Sequence, residues 1–203
     1  MACAEPVPLD DRNPAGRHEA PYRGLWPATA TRPILGFAAY SGTGKTTLLR
    51  AVIPLLVERG VRVALVKHAH HGFDVDYPGK DSYELRKAGA GQVLVASAHR
   101  RALMTEHPRP RDPVLAEELA CLHQDAVDLI LVEGFRHERF PKIELRRGEQ
   151  AQQPIAAHDD SVVAIATDDP ARTAEGLPGL NINDPAQIAA FIVDRILDVH
   201  ERT

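Results

Sequence analysis

Cysteine, aromatic residues and long hydrophobic runs are all scarce in this chain of 203 residues. Its two cysteines, Cys3 and Cys121, form neither a zinc-binding pattern nor a disulfide framework, which favours a reducing compartment. The longest mostly apolar run, residues 51–57, is far shorter than the ~20 residues that a membrane-spanning helix needs. Acidic residues near the N-terminus, Glu5 and Asp10 among them, stand where a secretory signal needs apolar residues. We therefore expect a cytoplasmic protein without a membrane segment.

An excess of positive charge is also missing. The 24 Lys and Arg residues are outnumbered by 28 Asp and Glu residues, which gives a net charge of −4. Proteins that bind nucleic acid through bulk electrostatics carry a surplus of basic residues, so we expect no nucleic-acid partner. The chain is long enough for one domain with a sizeable core. Histidine is the residue type in surplus, with ten copies.

The chain divides near residue 33. Residues 1–33 contain six prolines and no hydrophobic periodicity, which predicts an N-terminal extension that is flexible or draped over the domain. Leu25-Trp26 is the place where it could dock. Over residues 34–203, short apolar strands alternate with amphipathic helices, which is typical of an α/β domain with a mostly parallel central sheet. Strands are predicted at 34–40, 62–68, 92–97, 102–105, 128–133, 142–145 and 162–167, and helices at 46–59, 82–88, 113–122 and 188–201.

A phosphate-binding loop of the Walker A type follows the first strand. It reads Ala39-Tyr-Ser-Gly-Thr-Gly-Lys-Thr-Thr47, with alanine in place of the usual first glycine. Gly42 and Gly44 allow backbone conformations in which successive N–H groups point at phosphate oxygens. Lys45 would reach the β- and γ-phosphates, and the Thr46 hydroxyl would coordinate Mg²⁺. The loop predicts a P-loop NTPase fold of three layers, with helices on both faces of the sheet. The predicted nucleotide-binding residues are Ser41, Gly42, Thr43, Gly44, Lys45, Thr46 and Thr47.

Glu133 is the expected acidic partner of this Mg²⁺ ion. It ends the strand at 128–133, and ligands of open α/β sheets bind beyond the carboxyl ends of the strands. Asp128 begins the same strand, so we expect it to be structural or exposed. Thr46 and Glu133 are therefore the predicted metal site.

A histidine-rich loop follows the second strand. His68 and His70 could hold a transition metal with a nearby carboxylate, or they could form hydrogen bonds in a polar loop beside the phosphates. Lys67, Lys80 and Asp81 lie where a loop beyond the strand ends could contact a triphosphate or Mg²⁺. The candidate site residues of this region are Lys67, His68, His70, His71, Lys80 and Asp81.

The sequence indicates the residues that recognise the nucleobase less specifically than it indicates the phosphate loop. Asp168 and Asp169 end an apolar strand, and either carboxylate could accept hydrogen bonds from guanine N1 and N2. The segment lacks an Asn-Lys-x-Asp pattern, so a plain polar turn before Pro170 stays open. Two basic stretches, at 99–111 and 136–147, are either solvated faces or an anion pocket for a pterin phosphate or pyrophosphate.

Five motifs occur in a recognisable order: Ala-Ala-Tyr-Ser-Gly-Thr-Gly-Lys-Thr-Thr at 38–47, Lys-His-Ala-His-His at 67–71, Pro-Gly-Lys-Asp-Ser at 78–82, Ala-Gly-Ala at 88–90 and Leu-Val-Glu-Gly-Phe at 131–135. Over roughly residues 34–200 the chain resembles the molybdopterin-guanine dinucleotide biosynthesis adaptor family, MobB. The resemblance implies a homodimeric GTP-binding protein with slow hydrolysis. Such a protein assists the guanylyltransferase that makes the guanine dinucleotide cofactor, with molybdopterin as a further ligand, and the three loop histidines belong to its site.

Two other functions stay open. A small-molecule kinase would use an arginine-rich lid, for which residues 100–111 are the candidate, and a nickel or zinc metallochaperone GTPase would use the histidines. The chain shows no clear water-orienting glutamine or arginine finger after the Walker loop, which agrees with slow hydrolysis. For the homodimer, Leu103, Met104 and the strand at 140–145 are candidate interface residues.

Overall fold

The computed structural model describes residues 21–69, 72–148, 153–174 and 176–197. These residues form eight strands and four α-helices. The strands are Ile34–Ala38 (β1), Val63–Lys67 (β2), Gln92–Ala96 (β3), Arg101–Thr105 (β4), Leu129–Glu133 (β5), Lys142–Arg146 (β6), Val162–Thr167 (β7) and Gly179–Asn181 (β8). The helices are Lys45–Glu58 (α1), Asp81–Lys87 (α2), Leu115–Ala120 (α3) and Pro185–Arg195 (α4). Helix α1 continues through Pro54, as predicted from its apolar stripe.

Six strands form one parallel sheet in the order β2-β5-β1-β6-β7-β8. The central strand β1 carries the phosphate loop at its carboxyl end. Its Phe37 is in register with Glu133 of β5, which is in turn in register with Lys67 of β2. The ends of these three strands therefore meet at one edge of the sheet, and the prediction of a mostly parallel sheet is confirmed.

The core lies on both faces of this sheet. Leu35, Leu131 and Ile143 point to one face and pack in a cluster with α1 and α4. Ile34 and Ile130 point to the other face and pack in a second cluster with α3. This alternation follows from the two-residue period of a strand buried on both sides. The predicted three-layer arrangement is confirmed.

Part of the proline-rich segment packs against the domain. Ala30 is fully buried, and Trp26 packs on the core cluster that contains α3. The side chain of Gln124 accepts a hydrogen bond from the Thr31 backbone N–H at 2.8 Å and donates one to the Thr29 carbonyl at 2.8 Å. The segment that precedes β1 is thereby attached to the layer formed by α3. Residues 1–20 lie outside the described residues, and the boundary at residue 33 stays a prediction.

The strand at 140–145 was predicted as a candidate dimer interface, and this prediction is wrong. It lies between β1 and β7, in the interior of the sheet. Its polar residues look like those of an edge strand, but each is satisfied inside the fold. Lys142 donates to Asp159 at 2.7 Å, and the buried Glu144 accepts hydrogen bonds from the backbone N–H groups of residues 155–156.

Strands β3 and β4 form a separate antiparallel hairpin. Its side chains are more exposed than those of the parallel sheet, and Leu94 and Leu103 are each 61% exposed. No helix among the described residues has the length and apolar character needed to cross a lipid bilayer.

Candidate nucleotide site

The phosphate loop connects β1 to α1 through two residues in left-handed conformations. Gly42 has φ +82° and Gly44 has φ +94°, which side chains disfavour and glycine permits. Inside the loop, the Thr43 hydroxyl donates a hydrogen bond to the Tyr40 carbonyl at 2.8 Å. No side chain caps α1 at Gly44, so the first N–H groups of the helix face the loop. The loop is thus a cradle of backbone donors at a helix N-terminus.

Lys45 is the principal cation of this cradle. Its Nζ donates to the Ala39 carbonyl at 3.2 Å, which closes the loop on itself. Burial lowers the pKa of Lys45; Glu133 opposes that shift, and the charges of Arg136 and Lys67 add to it. Three cations therefore influence one another at this end of the sheet, and a bound anion would relieve their repulsion.

The two predicted Mg²⁺ ligands lie next to each other. Thr46 Oγ1 is 3.1 Å from Glu133 Oε1, and Lys67 Nζ is 3.4 Å from the other carboxylate oxygen. The Glu133 side chain is only 12% exposed. A hydroxyl oxygen and a carboxylate oxygen at this separation are a donor set that fits Mg²⁺, which prefers oxygen ligands and keeps several waters.

His68 occupies a tightly packed position behind Glu133. Its backbone N–H donates to the Glu133 carbonyl at 2.8 Å, and its ring centroid lies 4.9 Å from that of Phe135. A Cβ built on Gly134 would lie 2.6 Å from His68 Cβ, so only glycine fits there. His70 and His71 lie outside the described residues, and their predicted roles are not addressed by the structure.

Two further residues belong to this site, and the sequence indicated Phe135 only as part of the motif at 131–135 and Arg136 only as one member of the basic stretch at 136–147. Phe135 has φ +51°, a left-handed conformation that is rare without glycine, and it is buried. The guanidinium of the next residue, Arg136, lies 5.5 Å from the Tyr40 ring centroid. Glycine after a strand end signals a turn, but the placement of Arg136 depends on the whole fold.

Lys80 and Asp81 lie at the start of α2 and are exposed. The Lys80 Nζ lies 5.3 Å from the Tyr77 ring centroid, and its backbone forms hydrogen bonds with Tyr77 and Glu84. Their assignment to the nucleotide site stays a prediction.

A buried arginine holds the loop before α2 in place. The Arg86 guanidinium donates to Asp74 and Asp76 at 2.8 and 2.7 Å and to Glu106, which follows β4, at 2.6 Å. One side chain thereby joins the loop, α2 and the hairpin. The sequence carried no signal for this cluster because its members are up to 32 positions apart and none belongs to a spacing motif.

Asp168 is exposed at the carboxyl end of β7, two strands from β1. Its carboxylate accepts a hydrogen bond from the Gly148 N–H at 3.1 Å. Asp169 instead caps the short helix at 170–172 and binds Arg172 at 3.2 Å. Of the two predicted base-reading carboxylates, Asp168 belongs to the more exposed residue, whereas Asp169 is engaged by the short helix and by Arg172.

Two arginines of the basic stretches are paired with carboxylates, and the prediction that these stretches form an anion pocket stays a prediction. Arg111 pairs with Glu117 at 2.6 Å, and Arg139 pairs with Asp160 at 3.0 Å. Within the described part of the chain, no three His, Cys, Asp or Glu side chains are grouped so as to hold a metal ion.

Comparison with known proteins identifies relatives over most of the chain. A family model described as molybdopterin guanine dinucleotide synthesis protein B, MobB, matches residues 34–168. The molybdopterin-guanine dinucleotide biosynthesis adapter protein of Escherichia coli (strain K12) is 50% identical over 163 residues, which are 80% of this chain and 92% of the relative. The protein of the same name from Haemophilus influenzae is 43% identical over 169 residues, which are 83% of this chain and 92% of the relative.

Solved structures with a similar fold were also found. The crystal structure of a molybdopterin-guanine biosynthesis protein B has a TM-score of 0.55 at 25% identity, covering 79% of this chain and 98% of the neighbour. The MobB homolog from Bacillus stearothermophilus has a TM-score of 0.61 at 24% identity, covering 82% of this chain and 99% of the neighbour, and supports the fold. Since the family model spans well over half of the sequence and close relatives cover four fifths of it, this chain belongs to the MobB family.

Proposed function

We propose that this protein is a GTP-binding adaptor with slow intrinsic GTPase activity, which assists the guanylyltransferase in the synthesis of molybdopterin guanine dinucleotide. The observation that carries the proposal is the contact between Thr46 and Glu133 at the phosphate loop, in a chain of the MobB family. The names of its relatives support the assignment to molybdopterin-guanine dinucleotide synthesis, and the geometry of the site supports the binding of a nucleotide.

In this proposal the residues of the loop, 41–47, hold the phosphates through backbone N–H groups and Lys45. Thr46 and Glu133 hold Mg²⁺, which when bound neutralises charge on the β- and γ-phosphates. Lys67 is 53% exposed and pairs with the same carboxylate, so it is free to turn from Glu133 towards a phosphate oxygen. Lys80, Asp81 and the loop histidines are proposed to reach the phosphates when the nucleotide is bound.

GTP is preferred over ATP through Asp168. Its exposed carboxylate stands at the edge of the sheet that carries the phosphate loop and can accept hydrogen bonds from guanine N1 and N2. Adenine offers no donor at N1 and no amino group at C2, so it could not form these two hydrogen bonds with the carboxylate. Replacing Asp168 by Asn should therefore reduce the preference for GTP while leaving affinity for the triphosphate part intact.

The homodimer is proposed to use the hairpin of β3 and β4, which includes the predicted residues Leu103 and Met104. Leu94 and Leu103 are large apolar side chains exposed on this hairpin, and such patches mark interaction surfaces. Replacing Leu94 and Leu103 by Ser should shift the molecular mass in solution towards the monomer. We place the protein in the cytoplasm, with molybdopterin as a further ligand of the complex.

The decisive experiment is capture of the guanylyltransferase by the purified protein, with and without GTP, compared with the Lys45→Ala variant. Capture that depends on GTP and is lost in the variant is expected. Calorimetric titration with GTP, ATP, Ni²⁺ and Zn²⁺ separates the alternatives. A preference for ATP with acceptor-dependent turnover would establish a kinase, and tight metal binding lost in His68→Ala and His70→Ala would establish a metallochaperone.

A further inference from the structure

We propose that Arg136 is a phosphate-contacting residue of the nucleotide site, supplied by the chain itself and directed at the γ-phosphate of GTP. This inference rests on the proposed binding of GTP. Arg136 belongs to the basic stretch at 136–147. It differs from Arg139 of the same stretch in that it lies beside Tyr40 and has no described carboxylate partner.

The backbone directs Arg136 towards the phosphate loop. Gly134 has φ +99° and Phe135 has φ +51°, so the chain reverses direction immediately after the strand that carries Glu133. The turn is fixed from inside, because Phe135 is buried against the His68 ring, and from outside by a hydrogen bond from the Glu138 N–H to the Phe135 carbonyl at 2.9 Å. A left-handed residue without glycine costs free energy and is typical of functional sites.

Tyr40 provides a platform for the guanidinium. It is the second residue of the Walker A segment, and its carbonyl accepts a hydrogen bond from the Thr43 hydroxyl. Its phenol donates to the Gln153 carbonyl at 3.1 Å, which fixes the ring, and the guanidinium of Arg136 lies 5.5 Å from the ring centroid. A planar guanidinium on an aromatic face stays exposed and keeps its N–H groups available.

The pairing of Arg136 distinguishes it from other arginines nearby. Its Nε donates to His137 Nε2 at 3.1 Å, and among the described residues its two terminal nitrogens have no carboxylate partner. Arg139, three positions later, is held by Asp160 at 3.0 Å. Bidentate donation from terminal nitrogens is how arginine recognises phosphate, so Arg136 has the free donors that this contact needs.

The γ-phosphate is the expected acceptor. The predicted Mg²⁺ ligands, Thr46 and Glu133, are 3.1 Å apart, and an ion held by them would neutralise charge on the β- and γ-phosphates. Because Arg136 follows Glu133 by only three residues and its guanidinium lies 5.5 Å from the Tyr40 ring centroid, the terminal phosphate next to this metal site is the one within its reach.

The test compares Arg136→Ala and Arg136→Lys with the matched control Arg139→Ala. Calorimetry measures the Kd of each protein for GTP and for GDP at fixed Mg²⁺ and salt, and melting curves verify folding. Arg136→Ala should weaken GTP binding about ten- to hundredfold, the effect of losing hydrogen bonds to a charged group, and change GDP binding less than about twofold. Arg136→Lys should be intermediate, and Arg139→Ala should match the wild-type protein.

The outcomes separate this inference from the proposed function. If the wild-type protein binds GTP, Lys45→Ala abolishes binding and Arg136→Ala behaves like Arg139→Ala, the inference is overturned and the function stands. Equal losses for GTP and GDP would overturn the assignment to the γ-phosphate. Failure of the wild-type protein to bind GTP would overturn both.

Discussion

Thr46 Oγ1 donates a hydrogen bond to Glu133 Oε1 at 3.1 Å, although the two residues are 87 positions apart in the chain. The contact joins the first turn of α1 to the carboxyl end of β5. It arises because β5 lies beside β1 in the sheet, so that the end of one strand meets the loop that leaves the other. The same two residues are the proposed ligands of Mg²⁺.

Replacing Lys45 by Ala should weaken GTP binding by about a hundredfold or more, because the ammonium group is the cation of the phosphate loop. The protein should stay folded, because the substitution removes one hydrogen bond, from Lys45 Nζ to the Ala39 carbonyl within the loop. Titration of GTP into both proteins, with circular dichroism as the folding check, measures the effect. Arg59→Ala, at the opposite end of α1, is the matched control, and near wild-type affinity in Lys45→Ala would refute the phosphate-loop assignment.

Replacing Glu133 by Gln should reduce the dependence of GTP affinity on Mg²⁺ by about tenfold, since the charged oxygen that the metal ion prefers is lost. Affinity for GTP without metal should not fall, because a negative charge beside the phosphates is removed. The measurement is the Kd with Mg²⁺ and with a chelator present. Glu58→Gln, exposed at the far end of α1, should keep the full Mg²⁺ effect. An unchanged Mg²⁺ effect in Glu133→Gln would show that the metal ion binds elsewhere.

Much of the site around Thr46 and Glu133 could be predicted from the sequence, because each of its segments has a local sequence pattern. Apolar runs gave the strands, two glycines and a lysine gave the loop, and the position of Glu133 at a strand end placed it at the ligand-binding edge. The contact between Thr46 and Glu133 required only that β5 lie near β1. Local patterns of this kind survive folding because tertiary structure reinforces them.

The remaining features depend on contacts between distant segments. The interior position of residues 140–145 is one such feature, because it depends on the strand order and on the pairing of Lys142 with Asp159, 17 positions later. The three-residue strand β8 is too short for a pattern. Arg86 gathers carboxylates from two segments, and the left-handed Phe135 follows from packing against His68 rather than from its own preference.

Replacing Gly134 by Ala should destabilise the protein and distort the site. Its φ of +99° is strained for any side chain, and the new methyl group would lie 2.6 Å from His68 Cβ. A cost of about 1–3 kcal/mol in the free energy of unfolding follows from the backbone conformation alone. Denaturant unfolding measures it. Gly91→Ala is the control, because its φ is not in the left-handed range and nothing lies within 4 Å of the added carbon. Equal free energies of unfolding for the two variants would contradict the left-handed conformation of Gly134 and its close packing on His68.

The stability contributed by Asp128 should depend on pH. As expected from its place at the start of β5, it is structural: its carboxylate accepts hydrogen bonds from the Arg62 side chain at 2.9 and 2.6 Å and from the Arg62 backbone N–H at 2.9 Å. The side-chain hydrogen bond from Arg62 is the main cause that lowers the pKa of Asp128 below its ordinary value of 3.8. The folded state therefore favours the ionised carboxylate.

Because the folded pKa is depressed, this contribution is complete above the unfolded value of 3.8 and is lost as the pH falls through the folded value. Asp128→Asn should lower the melting temperature by about 1–4 °C at neutral pH, the range for a partly exposed ion pair. The gap to the wild-type protein should narrow as the pH falls below 3.8. Melting curves across this range test the prediction, with Asp125→Asn as control because that carboxylate is 92% exposed and lies 3.7 Å from Arg32. A gap that stays constant on acidification would mean that packing, rather than the charge of Asp128, accounts for the loss.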